Sequence, residues 1–186
     1  MNDINQYLRV TEVIAPFSGV EFVPKDLLQM AADRGTLVHD QIENFLSPVG
    51  IVEFYDHING YMKSFYDFWE SWTGKEIVAM EERLFCDEKM ITGKFDLLCK
   101  SGDSYCMLDW KTSSRPQKKS WRLQAAAYRY LAKDKYDIDQ VIFVNLKKNG
   151  SAATLHKFDT YEEDLGTFFK CLDLYRYFEM ETRGSR

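Results

Sequence analysis

The sequence lacks any apolar run of 18 residues, so it predicts no membrane-spanning helix. Its beginning, MNDINQYLRVTEV, lacks the basic-then-apolar pattern of a secretion signal. It has four cysteines, and no two of them show the CxxC spacing that is typical of a zinc site. Internal repeats, low-complexity segments and a P-loop are also missing. We therefore expect a cytoplasmic protein whose thiols are buried and reduced.

What is present fits a single globular domain. The 186 residues are 45% hydrophobic and 15% aromatic, which is enough to bury a sizeable core. We expect one domain over residues 1–186, with an irregular segment at 1–23. The terminal Gly-Ser-Arg at 184–186 is interpreted as an expression remnant.

Hydrophobic periodicity predicts an α/β fold, with a central mixed β-sheet flanked by helices. Helices are expected at 24–46, 53–73, 118–133 and 160–180, and strand-like runs at 76–86, 92–100 and 104–111. Two further strands, within 139–148 and 151–159, should form a hairpin around Asn149-Gly150. The last helix is expected to bury Leu165, Phe168, Phe169, Leu172, Tyr175 and Phe178.

Charge is unevenly distributed. The formal net charge is −5, yet the window from Trp110 to Lys133 has seven basic residues and no acidic one. Removing these seven from the 24 lysines and arginines leaves 17 basic residues against 29 acidic ones elsewhere. The basic residues are Lys111, Arg115, Lys118, Lys119, Arg122, Arg129 and Lys133. A basic stripe on an acidic body predicts a focused anion-binding surface, although a solvated helix face would look the same.

Two aspartates occupy strand positions where apolar residues are usual. If Gly102-Asp103 forms a two-residue turn, the numbers of opposed residues add to 205, which places Asp96 opposite Asp109. Two carboxylates this close repel unless a cation joins them, and hard oxygen ligands suit Mg²⁺ or Mn²⁺. Alternation places Lys111 on the face of Asp109. The alternative is a solvent-facing hairpin with an ordinary Asp–Lys pair.

Five short motifs occur in a defined order: RGTLVH ending at His39, EERLF at 81–85, GKFD ending at Asp96, DWKT at 109–112 and QAAAY at 124–128. This order resembles the PD-(D/E)XK nuclease superfamily, in its RecB-like and phage-exonuclease-like branch. The resemblance covers about residues 34–130 and implies a restriction-endonuclease-like core.

The resemblance also implies roles for individual residues. His39, Asp96, Asp109 and the carbonyl of Trp110 would bind metal; Asp96, Asp109, Lys111 and Glu81 would be catalytic; Gln124 and Tyr128 would contact the DNA backbone. Arg115, Lys118, Lys119 and Arg122 would bind phosphates. Simpler interpretations remain for several of them: His39 as a core residue, Glu81 as an edge-strand charge, and Gln124 with Tyr128 as helix packing. Trp121 would either stack on an unpaired base or be buried.

The function implied is a deoxyribonuclease that uses one or two Mg²⁺ or Mn²⁺ ions. We expect an exonuclease of bacterial or phage origin, acting on DNA ends or single strands in recombination, repair or phage replication. A helicase or recombination protein would supply unwinding. An iron–sulfur cluster is not expected, because Cys86, Cys99 and Cys106 lie inside core strands. The alternatives are a non-catalytic nucleic-acid-binding module, a structure-specific endonuclease and a sugar- or nucleotide-processing metalloenzyme.

Overall fold

The computed structural model describes residues 4–19, 23–48, 50–73 and 76–183, with residues 101 and 179–183 described by their backbone alone. Residues 1–3 and the interpreted remnant at 184–186 lie outside the described part. The helices are α1 (Val10–Ile14), α2 (Lys25–Leu46), α3 (Asn59–Ser71), α4 (Lys118–Ala132) and α5 (Tyr161–Arg183). The strands are β1 (Leu8–Arg9), β2 (Glu76–Met80), β3 (Arg83–Cys86), β4 (Ile91–Lys94), β5 (Leu97–Ser101), β6 (Ser104–Lys111), β7 (Ile138–Asn145) and β8 (Thr154–His156).

The strands form two mixed sheets flanked by helices, which confirms the α/β class. The larger sheet has the order β2-β5-β6-β7-β8, and only its β6–β7 pair is parallel. The smaller sheet has the order β1-β4-β3, with β1 parallel to β4. The expectation of one central sheet therefore holds for the five-stranded sheet, and a second sheet is added beside it.

The two sheets meet where both long predicted strands break. The run 76–86 divides at Glu81, whose φ of 50° takes the chain out of the extended conformation. The run 92–100 divides at Phe95 and Asp96. The breaks face each other, because the Glu81 N–H donates to the Asp96 carbonyl (2.9 Å) and the Phe95 N–H donates to the Glu82 carbonyl (3.2 Å). This corner places two acidic side chains at the junction of the sheets.

The register of the β5–β6 hairpin is the predicted one. Leu97 pairs with Leu108 and Ser101 with Ser104, so paired numbers add to 205. Gly102, at the start of the turn, has a φ of 63°, which glycine adopts without strain. The ladder begins at Leu97, one residue after Asp96, so Asp96 and Asp109 lie just beyond its end.

Hydrophobic cores cover both faces of the larger sheet. Leu97, Leu108 and Trp110 pack against α2 and α3, where Phe65 and Phe68 are buried. The opposite face packs against α4, α5 and α1. Trp121 belongs to this second core: it is 4% exposed and stacks on Phe143, so the structure does not support stacking on a base. Alternation along β6 then turns Asp109 and Lys111 toward α4.

Other boundaries differ from the prediction. The second helix begins at Asn59 after a 3-10 turn at Asp56–Ile58, six residues later than expected. The β7–β8 hairpin is centred on Asn149-Gly150 as predicted, but its loop spans residues 146–153. At the end of α5, Phe178 is 60% exposed, so the prediction that it is buried is wrong.

The irregular segment expected at 1–23 is wrong for most of its described residues. Leu8 and Arg9 pair with β4, and α1 follows at once. Val10 and Val13 are fully buried and Ile14 nearly so, all in the core beneath α4 and α5. The sequence did not predict these elements, because a two-residue strand and a five-residue helix are too short to show a periodicity.

Gly93 is expected to be sensitive to a single added methyl group. A Cβ at this position would lie 2.7 Å from Cε1 of Tyr128 and 3.0 Å from Cδ1 of Leu131. Gly93→Ala should therefore lower the free energy of unfolding by about 1–3 kcal/mol through overpacking. Gly166→Ala in α5 is the control, since a Cβ there meets nothing within 4 Å and should stabilise by about 0.5–1 kcal/mol. Urea unfolding of both variants decides this, and equal stabilities would contradict it.

Candidate active site

Two buried carboxylates lie side by side at the end of the β5–β6 hairpin. Asp96 is 8% exposed and Asp109 is 2% exposed, and both line one cavity of about 260 Å³. Oδ2 of Asp96 accepts a hydrogen bond from the Trp110 N–H (2.7 Å), which orients the carboxylate across the hairpin. The two aspartates thus share a face, as the register predicted.

His39 from α2 contacts the same carboxylate. Its Nδ1 lies 3.2 Å from Oδ1 of Asp96, and its Nε2 lies 2.9 Å from the Trp110 carbonyl. Burial alone would lower the pKa of His39, but the charge of Asp96 and the bond to it raise that pKa to about 9. The protonated ring can donate to both oxygens, and it must lose a proton before one of its nitrogens can bind a metal ion. Burial raises the pKa of Asp96, and the charge of His39 outweighs this and lowers it.

Glu81 completes a cluster with these two residues. His39, Glu81 and Asp96 each offer one ligand atom, and these three atoms lie within 4.8 Å of one another. Asp109 is not part of this group. The cluster therefore differs from the expected ion position between Asp96, Asp109 and His39. Two carboxylates and an imidazole beside a backbone carbonyl are a donor set that fits Mg²⁺ or Mn²⁺. Glu81 also forms an ion pair with Lys94, and burial raises the pKa of Glu81.

Asp109 belongs to a neighbouring network with α4. Nζ of Lys111 lies 2.5 Å from Oδ1 of Asp109 and forms an ion pair with it. Gln124 donates to Oδ2 of Asp109 (3.1 Å) and accepts from Lys111 (3.2 Å). Burial raises the pKa of Asp109 to about 6, against the opposing charge of Lys111.

The two carboxylates of the cavity and the adjoining Glu81 are each paired with a basic group: His39 for Asp96, Lys94 for Glu81 and Lys111 for Asp109. This pairing offsets the cost of burying neighbouring carboxylates.

The structure brings most predicted site residues together and separates a few. The residues that converge on the cavity are His39, Glu81, Asp96, Asp109, Trp110, Lys111, Gln124 and Tyr128. Tyr128 is buried, its hydroxyl accepts from Gln124 (3.0 Å), and burial raises its pKa well above the usual value. It is therefore placed to support Gln124 rather than to contact DNA.

The residues of the basic stripe also fall into two groups, one exposed and one paired within the chain. Arg115, Lys118 and Lys119 are exposed around the first turn of α4. Arg122 instead donates from Nε to Asp164 at 2.9 Å and from Nη2 to Thr160 at 2.8 Å, near the start of α5. Its guanidinium therefore already has an ion-pair partner within the chain, and the phosphate contact expected of Arg122 stays a prediction.

A second cavity of about 410 Å³ adjoins the first one. His39, Lys111 and Gln124 line both. The second cavity leads to the first turn of α4, where Gln117 and Ser120 line it. Lys111 therefore stands between the carboxylates and the start of the basic helix.

Three cations of the first cavity were missed by the sequence reasoning: Arg9, Arg83 and Lys94. Arg83 and Lys94 lie inside the motifs EERLF and GKFD, where the resemblance implies no role for them. Arg9 lies in the segment expected to be irregular. Strand pairing brings these three side chains together, and a short sequence motif contains no information about strand pairing.

Comparison with known proteins finds a matching family and a similar fold. A family model described as the PD-(D/E)XK nuclease superfamily matches residues 59–173. A candidate exonuclease from Eubacterium rectale has a similar structure, with a TM-score of 0.58, 8% identity, and coverage of 88% of this chain and 77% of that one. An alkaline exonuclease from Laribacter hongkongensis matches with a TM-score of 0.44 and 14% identity over 97% of this chain and 95% of its own. No curated protein matches significantly.

Proposed function

The chain belongs to the PD-(D/E)XK nuclease superfamily, and from this membership and the geometry we propose that it is a metal-dependent deoxyribonuclease. It would hydrolyse phosphodiester bonds at DNA ends or in single strands, using Mg²⁺ or Mn²⁺. Recombination, repair or phage replication is the setting we propose. No helix in the described part of the chain is long and apolar enough to span a bilayer.

One observation carries the proposal: a three-residue ligand cluster lies in the same cavity region as a buried Asp–Lys pair. His39, Glu81, Asp96 and the Trp110 carbonyl would hold the ion. A divalent cation there supplies Lewis acidity to the phosphoryl group and raises the acidity of water. Lys111 lines the same cavity as Asp96 and would direct its ammonium toward the phosphate.

The chain's own residues orient the reaction. Asp109 and Gln124 hold the Lys111 ammonium from two sides, which fixes the position of its Nζ atom. From there Lys111 can donate to a phosphate oxygen or to the attacking water. Gln124 is in turn placed by Tyr128, so α4 supports the groups that face the phosphate.

α4 would hold the DNA backbone. Its first N–H groups are free of helical partners and favour anions, and Lys118 and Lys119 are exposed beside them. Such contacts position phosphates without reading bases. We therefore propose binding that is indifferent to sequence.

Replacing Lys118 and Lys119 with alanine should flatten the salt dependence of DNA binding. Each phosphate contact contributes a slope of about −0.7 on single strands in a plot of log K against log salt, so the change should be about 1.4. Titration of a labelled oligonucleotide at several salt concentrations, with Ca²⁺ to suppress cleavage, measures it. A solvated helix face, the alternative, predicts an unchanged slope.

Incubation of the protein with end-labelled single- and double-stranded DNA in Mg²⁺ or Mn²⁺ tests the function itself. Cleavage that EDTA stops is expected. Circular single-stranded DNA separates the modes of action, because an exonuclease leaves it intact and an endonuclease opens it. Binding without cleavage in any metal would instead favour the non-catalytic module.

A further inference from the structure

Three basic side chains line the carboxylate cavity from the small sheet, away from the first turn of α4. They are Arg9 at the end of β1, Arg83 at the start of β3 and Lys94 at the end of β4. The register explains why they are together: Arg9 pairs with Thr92, and Arg83 pairs with Lys94. Because paired residues and those two apart along a strand share a face, all four side chains start from one face of the sheet.

The charges of this cavity do not cancel. Its carboxylates and the adjoining Glu81 are each paired with His39, Lys94 or Lys111. In the described part of the chain, neither guanidinium of Arg9 or Arg83 lies within 4.0 Å of a carboxylate. Two arginines are therefore left over, beside a cavity of about 260 Å³.

The position of Arg9 is secured by packing. It lies between Leu8, whose backbone pairs with β4, and Val10, which is fully buried. Its N–H also lies 3.5 Å from a carboxylate oxygen of Glu12. The backbone of Arg9 is thus fixed at the cavity, and only the side chain is exposed. A guanidinium held this way can bind phosphate oxygens in a bidentate manner.

We infer that Arg9 and Arg83 form a second phosphate-binding site, which takes a phosphodiester of the substrate strand on the side of the scissile bond away from the first turn of α4. The layout supports the direction, since Lys111 separates this cavity from the one that leads to the start of α4. A strand running from α4 past Lys111 would reach the arginines next. The inference rests on the proposed nuclease function and adds where the strand continues.

The test combines charge removal with a charge-keeping rescue. Arg9→Gln/Arg83→Gln should flatten the salt slope of single-strand binding in Ca²⁺ by about 1.4, for two lost phosphate contacts. Arg9→Lys/Arg83→Lys should keep the slope while weakening binding, because lysine retains the charge but not the bidentate geometry. Lys100→Gln is the matched control: it lies on β5 about 13 Å along the strand from Asp96 and should leave the slope unchanged.

Two further measurements separate the outcomes. Combination with Lys118→Ala/Lys119→Ala should flatten the slope by about 2.8, because the two sites bind different phosphates. Mn²⁺ binding in the absence of DNA, followed by calorimetry, should be retained in the Arg9/Arg83 variants. An unchanged slope in a folded double variant, or loss of Mn²⁺ binding, overturns the inference while the nuclease function stands. If the wild-type protein neither binds nor cleaves DNA, the proposed function fails as well.

Discussion

Lys111→Ala is expected to lower DNA cleavage by about 10²–10⁴-fold, the contribution of one positioned proton-transfer group. DNA affinity in Ca²⁺ should change little, because Lys118, Lys119 and the arginines of the small sheet would still bind phosphates. The physical reason for the loss of cleavage is the place of Nζ, which lies between Asp109 and Gln124 in the cavity that Asp96 also lines. Single-turnover cleavage and oligonucleotide titration together measure the effect.

Lys111→Arg sharpens this test. Arginine keeps the positive charge but cannot lose its proton and does not place one nitrogen where the ammonium was. Binding should be retained and cleavage should stay low. If Lys111→Ala loses binding and cleavage in parallel, Lys111 holds a phosphate and is not a catalytic group. If Lys111→Arg cleaves at the wild-type rate, only charge is needed at this position.

Lys111→Ala should also change how the free energy of unfolding depends on pH, an effect that is measured without cleavage. The pKa of Asp109 is raised in the fold to about 6 from 3.8, so its contribution to stability is fully present below pH 3.8 and is lost as pH rises through about 6. Removing Lys111 takes away the positive charge that keeps the pKa of Asp109 from rising further. Unfolding free energy should then fall more steeply between pH 4 and pH 7 in Lys111→Ala than in the wild type. A parallel pH dependence would mean that the ion pair is not formed.

Asp96→Asn is expected to abolish Mn²⁺ binding and to lower cleavage by about 10³-fold or more, since lost metal charge costs several kcal/mol in the transition state. Asparagine keeps the size of the side chain and an oxygen to accept from the Trp110 N–H, so the hairpin should stay folded. The substitution removes one of the two carboxylate charges of the ligand cluster, and Glu81 carries the other. Calorimetric titration with Mn²⁺ measures the binding without depending on activity.

A second readout of Asp96→Asn is the titration of His39. Asp96 is what raises that pKa against burial, so the variant should lower it from about 9. Histidine ring signals followed by NMR over pH would show this. Asp164→Asn is the matched control, because Asp164 is likewise a buried, ion-paired carboxylate but lies on α5. It should lose stability and keep Mn²⁺ binding. Tight Mn²⁺ binding by Asp96→Asn would place the ion elsewhere.

The hairpin register is the part of the site that could be predicted from sequence. A glycine at a two-residue turn and strict alternation on both strands determine which residues are opposed, and the structure has the same pairs from Leu97–Leu108 to Ser101–Ser104. The helix α4 was equally visible, because its apolar positions recur at helical spacing over 15 residues. Local rules suffice where neighbours in sequence are neighbours in space.

The strand breaks at Glu81 and Asp96 were not predicted, because each position lies inside a strand-like run without a turn signal of its own. What breaks them is the meeting of two sheets, a contact between residues that are 15 positions apart. Arg9 is a harder case, since its place depends on a pairing with Thr92. For Arg122, the basic pattern was visible but its partner Asp164 was not. Long-range pairing decided each of these outcomes.

The parallel pairing of β1 with β4 has a consequence for the order of folding. Leu8 and Ile91 are partners although more than eighty residues separate them, and a parallel pair cannot be joined by a tight turn. The β3–β4 and β5–β6 hairpins close short loops and should form early, whereas β1 must wait until a long loop is closed. During synthesis, the N-terminal segment leaves the ribosome first but docks only after β4 has emerged. Arg9 would therefore be among the last side chains to reach its folded position. A nascent chain would position Asp96, Asp109 and Lys111 before the cavity around them is complete.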